Sequence, residues 1–251
     1  MKASRRTGVR EAVYGQQGLR LLPNTRTRIY DPYFSNVSLL LHSNGSNGST
    51  TFIDSSSNGR TVTAIADAQI STAQSKFGGS SLLLDGTGDY LSIADDNTLD
   101  FGTGDFTIEC WVRFTSLANA PFIFYKGNSV TTDPGWWLEV SASTSYFGFQ
   151  TNGSPYYAEF TVALTTGVWY HIACCRAGNR LYCAVDGNVQ SAIVTNADLS
   201  KDNANAFLIG SYTPVSTAYD LNGNIDDFRI TKGVARYVSN YIPPVAAFLD
   251  A

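Results

Sequence analysis

The residues in this chain whose types could do chemistry are a scattering of carboxylates, two histidines, four cysteines and several adjacent aromatics. Retaining glycoside hydrolysis needs two carboxyl groups about 5 Å apart, and E-x-D-x-E along one strand would place them on one face. That pattern is absent: Glu11, Glu109, Glu139 and Glu159 are each isolated from other acids. His171, between Tyr170 and Ile172, reads as a packed or edge histidine rather than a general base, and His42 has no nucleophile at a recognisable spacing. Neither a G-x-S-x-G elbow nor a phosphate-binding loop is present. The expectation is a binding or scaffolding protein, not an enzyme.

Cys110, Cys174, Cys175 and Cys183 show no C-x-x-C pair and no histidine at zinc-ligand spacing, which argues against structural zinc. Cys110 shares an inward face with Phe106, Ile108, Val112 and Phe114. Cys174 and Cys183 are expected to oppose each other across the hairpin turned by AGNR (177–180), as free thiols. Trp136, Trp137, Tyr146, Tyr156 and Tyr157, with Phe147, are candidates for stacking on a glycan; core packing and subunit contacts are the competing roles for the same rings.

Charge is divided unevenly. Residues 1–34 carry seven basic groups against Glu11 and Asp31, about +5, whereas the rest sums to about −9 within a total of −4. Arg5, Arg6, Arg10, Arg20, Arg26 and Arg28 are therefore candidate anchoring residues for an acidic protein surface. Nucleic acid is the less expected partner, because only Tyr14 and Tyr30 interleave with them.

The elements that must position these groups are short strands. Residues 1–36 lack sustained periodicity and read as a basic extended arm, with a short helix around Glu11–Gln17. From residue 37 to 251, runs such as VSLLLH, SSLLLD, DFTIECWVRF, GWWLEVS, VWYHIACCR, RLYCAVDG and GNIDDFRITK alternate with turn clusters such as DGTGD, TNGSP, RAGNR and LNGN. More than a dozen strands at this spacing predict an all-β sandwich or barrel. One helical turn is expected in KGVARYV (232–238). No apolar run approaches the roughly 20 residues of a spanning helix, no secretory leader is evident, and no membrane partner is expected.

The segments SLLLH (38–42), STAQSKFGGSSLLLDGTGDYLSI (71–93), LDFGTGDFTIECWVRF (99–114), GVWYHIACCRAGNRLYCAVDG (167–187), FLIGS (207–211) and GNIDDFRITKGVARYVSNYIPP (223–244) together resemble a laminin G-like, concanavalin A-like domain, of the kind found in tailed-phage structural proteins. The resemblance implies an antiparallel two-sheet jelly roll behind the N-terminal arm. It also implies calcium as a candidate ligand, at Asp85, Asp89, Asp226 and Asp227. By analogy it implies a virion structural protein assembled in the host cytoplasm, a capsid decoration or tail component. Such a protein would be held by its arm to other capsid or tail proteins and arranged as a homo-oligomer such as a trimer. The alternative is an adhesion module for a host-surface glycan or receptor on a tail fibre or cell surface.

Overall fold

The computed structural model describes residues 30–127, 135–141, 144–151, 154–161, 163–193, 204–212 and 217–251. Expectations that rest on residues before 30, namely the arm, its six arginines and the helix at Glu11–Gln17, lie outside these residues.

Among the described residues, sixteen strands make two antiparallel sheets. In chain order they are β1 (Val37–Leu41), β2 (Thr51–Ile53), β3 (Thr61–Ile65), β4 (Gln69–Ser71), β5 (Ser81–Asp85), β6 (Tyr90–Ile93), β7 (Phe106–Phe114), β8 (Phe122–Lys126), β9 (Gly135–Val140), β10 (Thr144–Thr151), β11 (Ser154–Thr161), β12 (Trp169–Ala177), β13 (Arg180–Val185), β14 (Asn188–Ile193), β15 (Phe207–Ile209) and β16 (Asn222–Lys232). The first sheet runs β14-β13-β12-β7-β16-β5-β4, with β1 also on β16; the second runs β11-β10-β9-β8-β15-β6-β3-β2. β2, β3 and β4 have no counterpart among the strands expected from sequence. They are short, and β2 and β3 sit at a sheet edge with few buried positions, so their apolar alternation is faint.

Alternation along β7 builds the interior. Phe106, Ile108, Cys110, Val112 and Phe114 point into one core with Leu82, Leu84, Phe124, Trp136, Ile172, Phe207 and Ile230. Cys174 and Cys183 are a register pair in that core, with free thiols 3.9 Å apart, well beyond the roughly 2.05 Å of a disulfide. β16 is long enough to pair β5 through Asn222–Ile225 and β1 through Phe228–Thr231 on the same side. The two halves meet at a bulge between Asp226 and Arg229, where Asp227 adopts a left-handed φ of 47°. Asp186 (φ 47°) and Gly187 (φ 80°) close the β13–β14 hairpin as a two-residue I′-type turn, as the VDGN motif predicts.

The other face of the first sheet carries Thr107 and Glu109 of β7, His171 of β12 and Arg229 of β16. A strap formed by residues 233–251 covers it. KGVARYV does not form the expected helical turn. The Val234 carbonyl accepts from the Thr107 hydroxyl, and the Arg236 amide donates to Thr107 Oγ1, so the backbone is spent on the sheet and forms no helical turn. Residues 31–36 belong to this body rather than to an arm ending at 36. The Asp31 amide donates to the Ala251 carbonyl, and its carboxylate pairs with Arg229 and Arg236.

Candidate functional site

Under the strap lies a closed ionic network. Glu109 Oε1 accepts from Arg229 at 3.0 and 2.7 Å; its Oε2 accepts from the Tyr237 hydroxyl at 2.7 Å and faces His171 Nε2 at 3.2 Å. His171 Nδ1 meets the Tyr241 hydroxyl at 2.8 Å. Burial alone would raise the Glu109 pKa, but the charge of Arg229 and the contacts with His171 and Arg236 hold it well below the usual carboxylate range. Glu109 is fully buried, and both its oxygens are engaged by Arg229, Tyr237 and His171. This histidine and glutamate fasten the strap.

The candidate calcium ligands do not assemble. Asp89 accepts from the backbone amides of Asp67 and Asp85, which makes it a turn-forming carboxylate. Asp226 accepts from the amides of Lys76, Phe77 and Asp227, and burial pushes its pKa up to about 6. Asp227 contacts His42 at 2.5 Å through one oxygen and accepts from the Phe248 amide through the other. Among the described residues no three His, Cys, Asp or Glu side chains are grouped to hold a metal. Asp85 is exposed and accepts from the Thr87 amide; the other three are committed to amides and to His42, so the four carboxylates do not fit one calcium ion.

The candidate glycan-stacking rings are also corrected in part. Trp136 points into the core beside Phe101, Phe124 and Phe207. Trp137, on the opposite face, is buried with Phe122 and Tyr125. Neither offers a ring face to a sugar. Tyr146, Tyr156 and Tyr157 stand on β10 and β11, where the backbone alone is described.

What the structure does bring together, unforeseen from sequence, is a small cavity at the rim of the sandwich. It measures about 110 Å³ and is lined by Gly86, Ser116, Ala118, Asn119, Thr217, Ala218, Asp220 and Asn222. Three connections are zipped to make it. The amides of Thr115 and Ser116 donate to the Asn222 carbonyl, and Phe122 donates to Tyr219. Gly86 (φ 84°) packs so closely on Asn222 that a Cβ would collide with it. Asp220 is 92% shielded, since its exposure is 8%. Its Oδ2 accepts from the Gly88 amide at 2.7 Å, the Ser211 side chain also bonds this carboxylate, and Oδ1 is shut off from solvent. Burial raises the pKa of this carboxyl, against the lowering effect of the bonds from Ser211 and Gly88, with a smaller upward push from Asp85.

Beside the cavity in sequence, Tyr219 is 42% exposed, its ring 6.0 Å from both Phe122 and Tyr212. Asp220 precedes LNGN and Asn222 lies within it, a stretch that reads as a turn signal; nothing in one segment shows that 86–88, 116–119 and 217–222 meet.

Known proteins share this architecture. A search of the curated proteins finds no match. The binding domain of paraclostridial mosquitocidal protein 1 superposes with a TM-score of 0.62 at 14% identity, covering 81% of this chain and 51% of that one. The binding domain of botulinum neurotoxin DC in complex with SialylT gives 0.60 at 14% identity, over 81% and 49%. A botulinum neurotoxin type C structure, whose cell entry is described as dependent on two ganglioside molecules, gives 0.60 at 16% identity, over 80% and 49%. The chain spans about half the length of these structures, and the likeness is one of fold. The family model for concanavalin A-like lectins and glucanases matches residues 85–235, from the DGTGD turn to the end of β16 and into the strap. With two antiparallel sheets around one core, and with that match covering more than half of its length, the chain belongs to the concanavalin A-like lectin/glucanases superfamily.

Proposed function

We propose that the chain is a non-catalytic carbohydrate-binding module that holds a sugar at the Asp220 rim cavity. The observation that carries this is the rim cavity itself, where the carboxyl residue Asp220 meets the hydroxyl and amide residues Ser116, Asn119, Thr217 and Asn222 in a chain of the lectin/glucanases superfamily. Sugar hydroxyls, which both donate and accept, are matched to groups of this kind. The part-exposed ring of Tyr219 suits the apolar face of a pyranose. Catalysis is disfavoured by the carboxylates. Glu109 is sealed under the strap, its oxygens engaged by Arg229, Tyr237 and His171. Glycan-array binding that Asp220→Ala abolishes, with the fold intact by circular dichroism, is the expected result. Silence of the wild-type protein on a broad array, or release of reducing sugar, would remove the reading.

A second reading rests on the division of charge and is compatible with the first. In it the basic segment holding Arg5, Arg6, Arg10, Arg20, Arg26 and Arg28 attaches the module to an acidic surface of a larger assembly, a tailed-phage virion by analogy of fold. Several copies about a symmetry axis would then display the sandwich outward. Because Asp31 is needed by the body, the informative deletion is residues 1–29; undiminished incorporation of that form into particles would end this reading.

A further inference from the structure

Four thiols lie in the sandwich, and the binding reading uses none of them. Cys174 of β12 and Cys183 of β13 are nine residues apart in the chain and direct partners in register. Just beyond the ladder, the Asp186 amide donates to the His171 carbonyl, which makes 171 and 186 a hydrogen-bonded pair. Such pairs alternate along an antiparallel ladder with pairs that exchange no backbone bonds, so 174 and 183, three positions on, are of the second kind. There the Cα atoms stand about 4.5 Å apart, inside the roughly 4.4–6.8 Å that a disulfide spans. The sulfurs are already 3.9 Å apart, so closure asks for side-chain rotation rather than rearranged strands. We infer that Cys174 and Cys183 are a redox-sensitive staple: given a small-molecule disulfide as oxidant, they close to a cross-strand disulfide that locks the β12–β13 hairpin.

The register leaves this pair without a competitor. Cys175 follows Cys174 on the same strand and so points to the opposite face, where its sulfur meets the Thr107 hydroxyl at 3.3 Å. Cys110 shares the core face, but its partner on β12 is Ile172, two residues from Cys174. That diagonal is about 7–8 Å, past the reach of a disulfide. The step itself is two thiol–disulfide exchanges. One thiolate of the pair attacks a sulfur of the small disulfide and expels its other half as a thiol. The second thiolate then attacks the protein sulfur of the mixed disulfide, forms the Cys174–Cys183 bond and expels the remaining half. Two electrons and the two thiol protons thus end on the oxidant. Access sets the rate: both side chains are buried, and burial with the neighbouring thiols holds Cys174 far from ionised. Because β13 and β14 end their sheet, exchange proceeds through local opening of that end.

The test takes the full chain, purified in reductant and then held with oxidised glutathione, once in native buffer and once in urea below the unfolding midpoint. Thiols that react in denaturant should fall from four to two, faster in the urea arm. The intact mass should drop by two hydrogen atoms with no glutathione attached. Tryptic digestion should leave the peptide ending at Arg176 joined to the one beginning at Leu181. The oxidised form should melt roughly 4–12 °C higher, and dithiothreitol in urea should return it to the starting value. Cys175→Ala should keep both the bond and the rise in Tm; Cys174→Ala and Cys183→Ala should show neither. Four thiols remaining in both arms, lasting glutathione adducts, a bond that includes Cys110 or Cys175, or a Tm that does not rise on oxidation would each overturn the staple.

Discussion

Replacing Glu109 with alanine removes one of two carboxylates that balance two buried guanidinium groups. Asp31 and Glu109 face Arg229 and Arg236, and all four side chains are at most 7% exposed. The substitution deletes both contacts with Arg229, the bond from Tyr237 and the contact with His171. It leaves two cations sharing Asp31. Removing one partner of a buried pair typically costs about 3–5 kcal/mol, mostly the penalty of the charge left behind. For a chain of this size each kcal/mol lowers Tm by roughly 2–4 °C, so a drop of about 6–20 °C is expected. Urea unfolding followed by tryptophan fluorescence should show a lower midpoint with little change in slope. The double variant Glu109→Met with Arg229→Met removes both charges at once, leaves Asp31 with Arg236, and should be less destabilised than Glu109→Ala alone. A loss under about 1 kcal/mol for the single variant, or a double variant that is worse, would refute the account of a sealed, mutually dependent network.

Three further outcomes follow from the same strap and core. Burial disfavours a charged His42, but its contacts with Asp227 and Asp250 outweigh this and raise its pKa from 6.5 to about 9. Its contribution is thus complete below pH 6.5 and lost as pH rises through about 9; after allowance for screening at the exposed Asp250, about 2 kcal/mol should disappear over that interval and be missing from His42→Gln. Gly187→Ala places a Cβ against the Tyr241 carbonyl at a φ of 80°, so the strap must lift. A loss of about 2 kcal/mol or more is expected, read by urea unfolding and by faster amide exchange at Tyr241, whose amide donates to Gly187. All four thiols are buried, and burial raises Cys110 and Cys174 well above the ordinary range and Cys175 to about 12. Native protein should therefore react slowly with a thiol reagent that titrates four groups in denaturant; rapid native labelling would contradict the packing.

The class of fold was legible in single segments because strand burial is local and periodic. Phe106, Ile108, Cys110, Val112 and Phe114 alternate in sequence as they do in the core, and the opposition of Cys174 to Cys183 follows from a short turn between two clear strands. β2 and β3 escaped because they bury little and so leave little pattern, and β4 because three residues are too few to show one. KGVARYV read as a helical turn because nothing in it reveals that Thr107, far away in the chain, will take up its backbone. Both tryptophans of the pair at 136–137 read as candidates for a surface, and only the packing of Phe122 and Tyr125 over the second removed it.

Composition, alternation and turn chemistry by themselves determined a two-layer β sandwich, the placement of most of its strands and the separation of a basic leading segment from an acidic remainder. Tertiary structure alone decided that Asp31, Glu109, Arg229 and Arg236 neutralise one another, that the sequence-adjacent acids Asp226 and Asp227 serve backbone amides and a histidine, and that Ser116, Asn119, Thr217 and Asp220 meet at one rim cavity. The physical reason is that backbone preference and burial act between neighbours in the chain. The state of an ionisable group is set by whatever reaches it through space, here from up to 208 residues away.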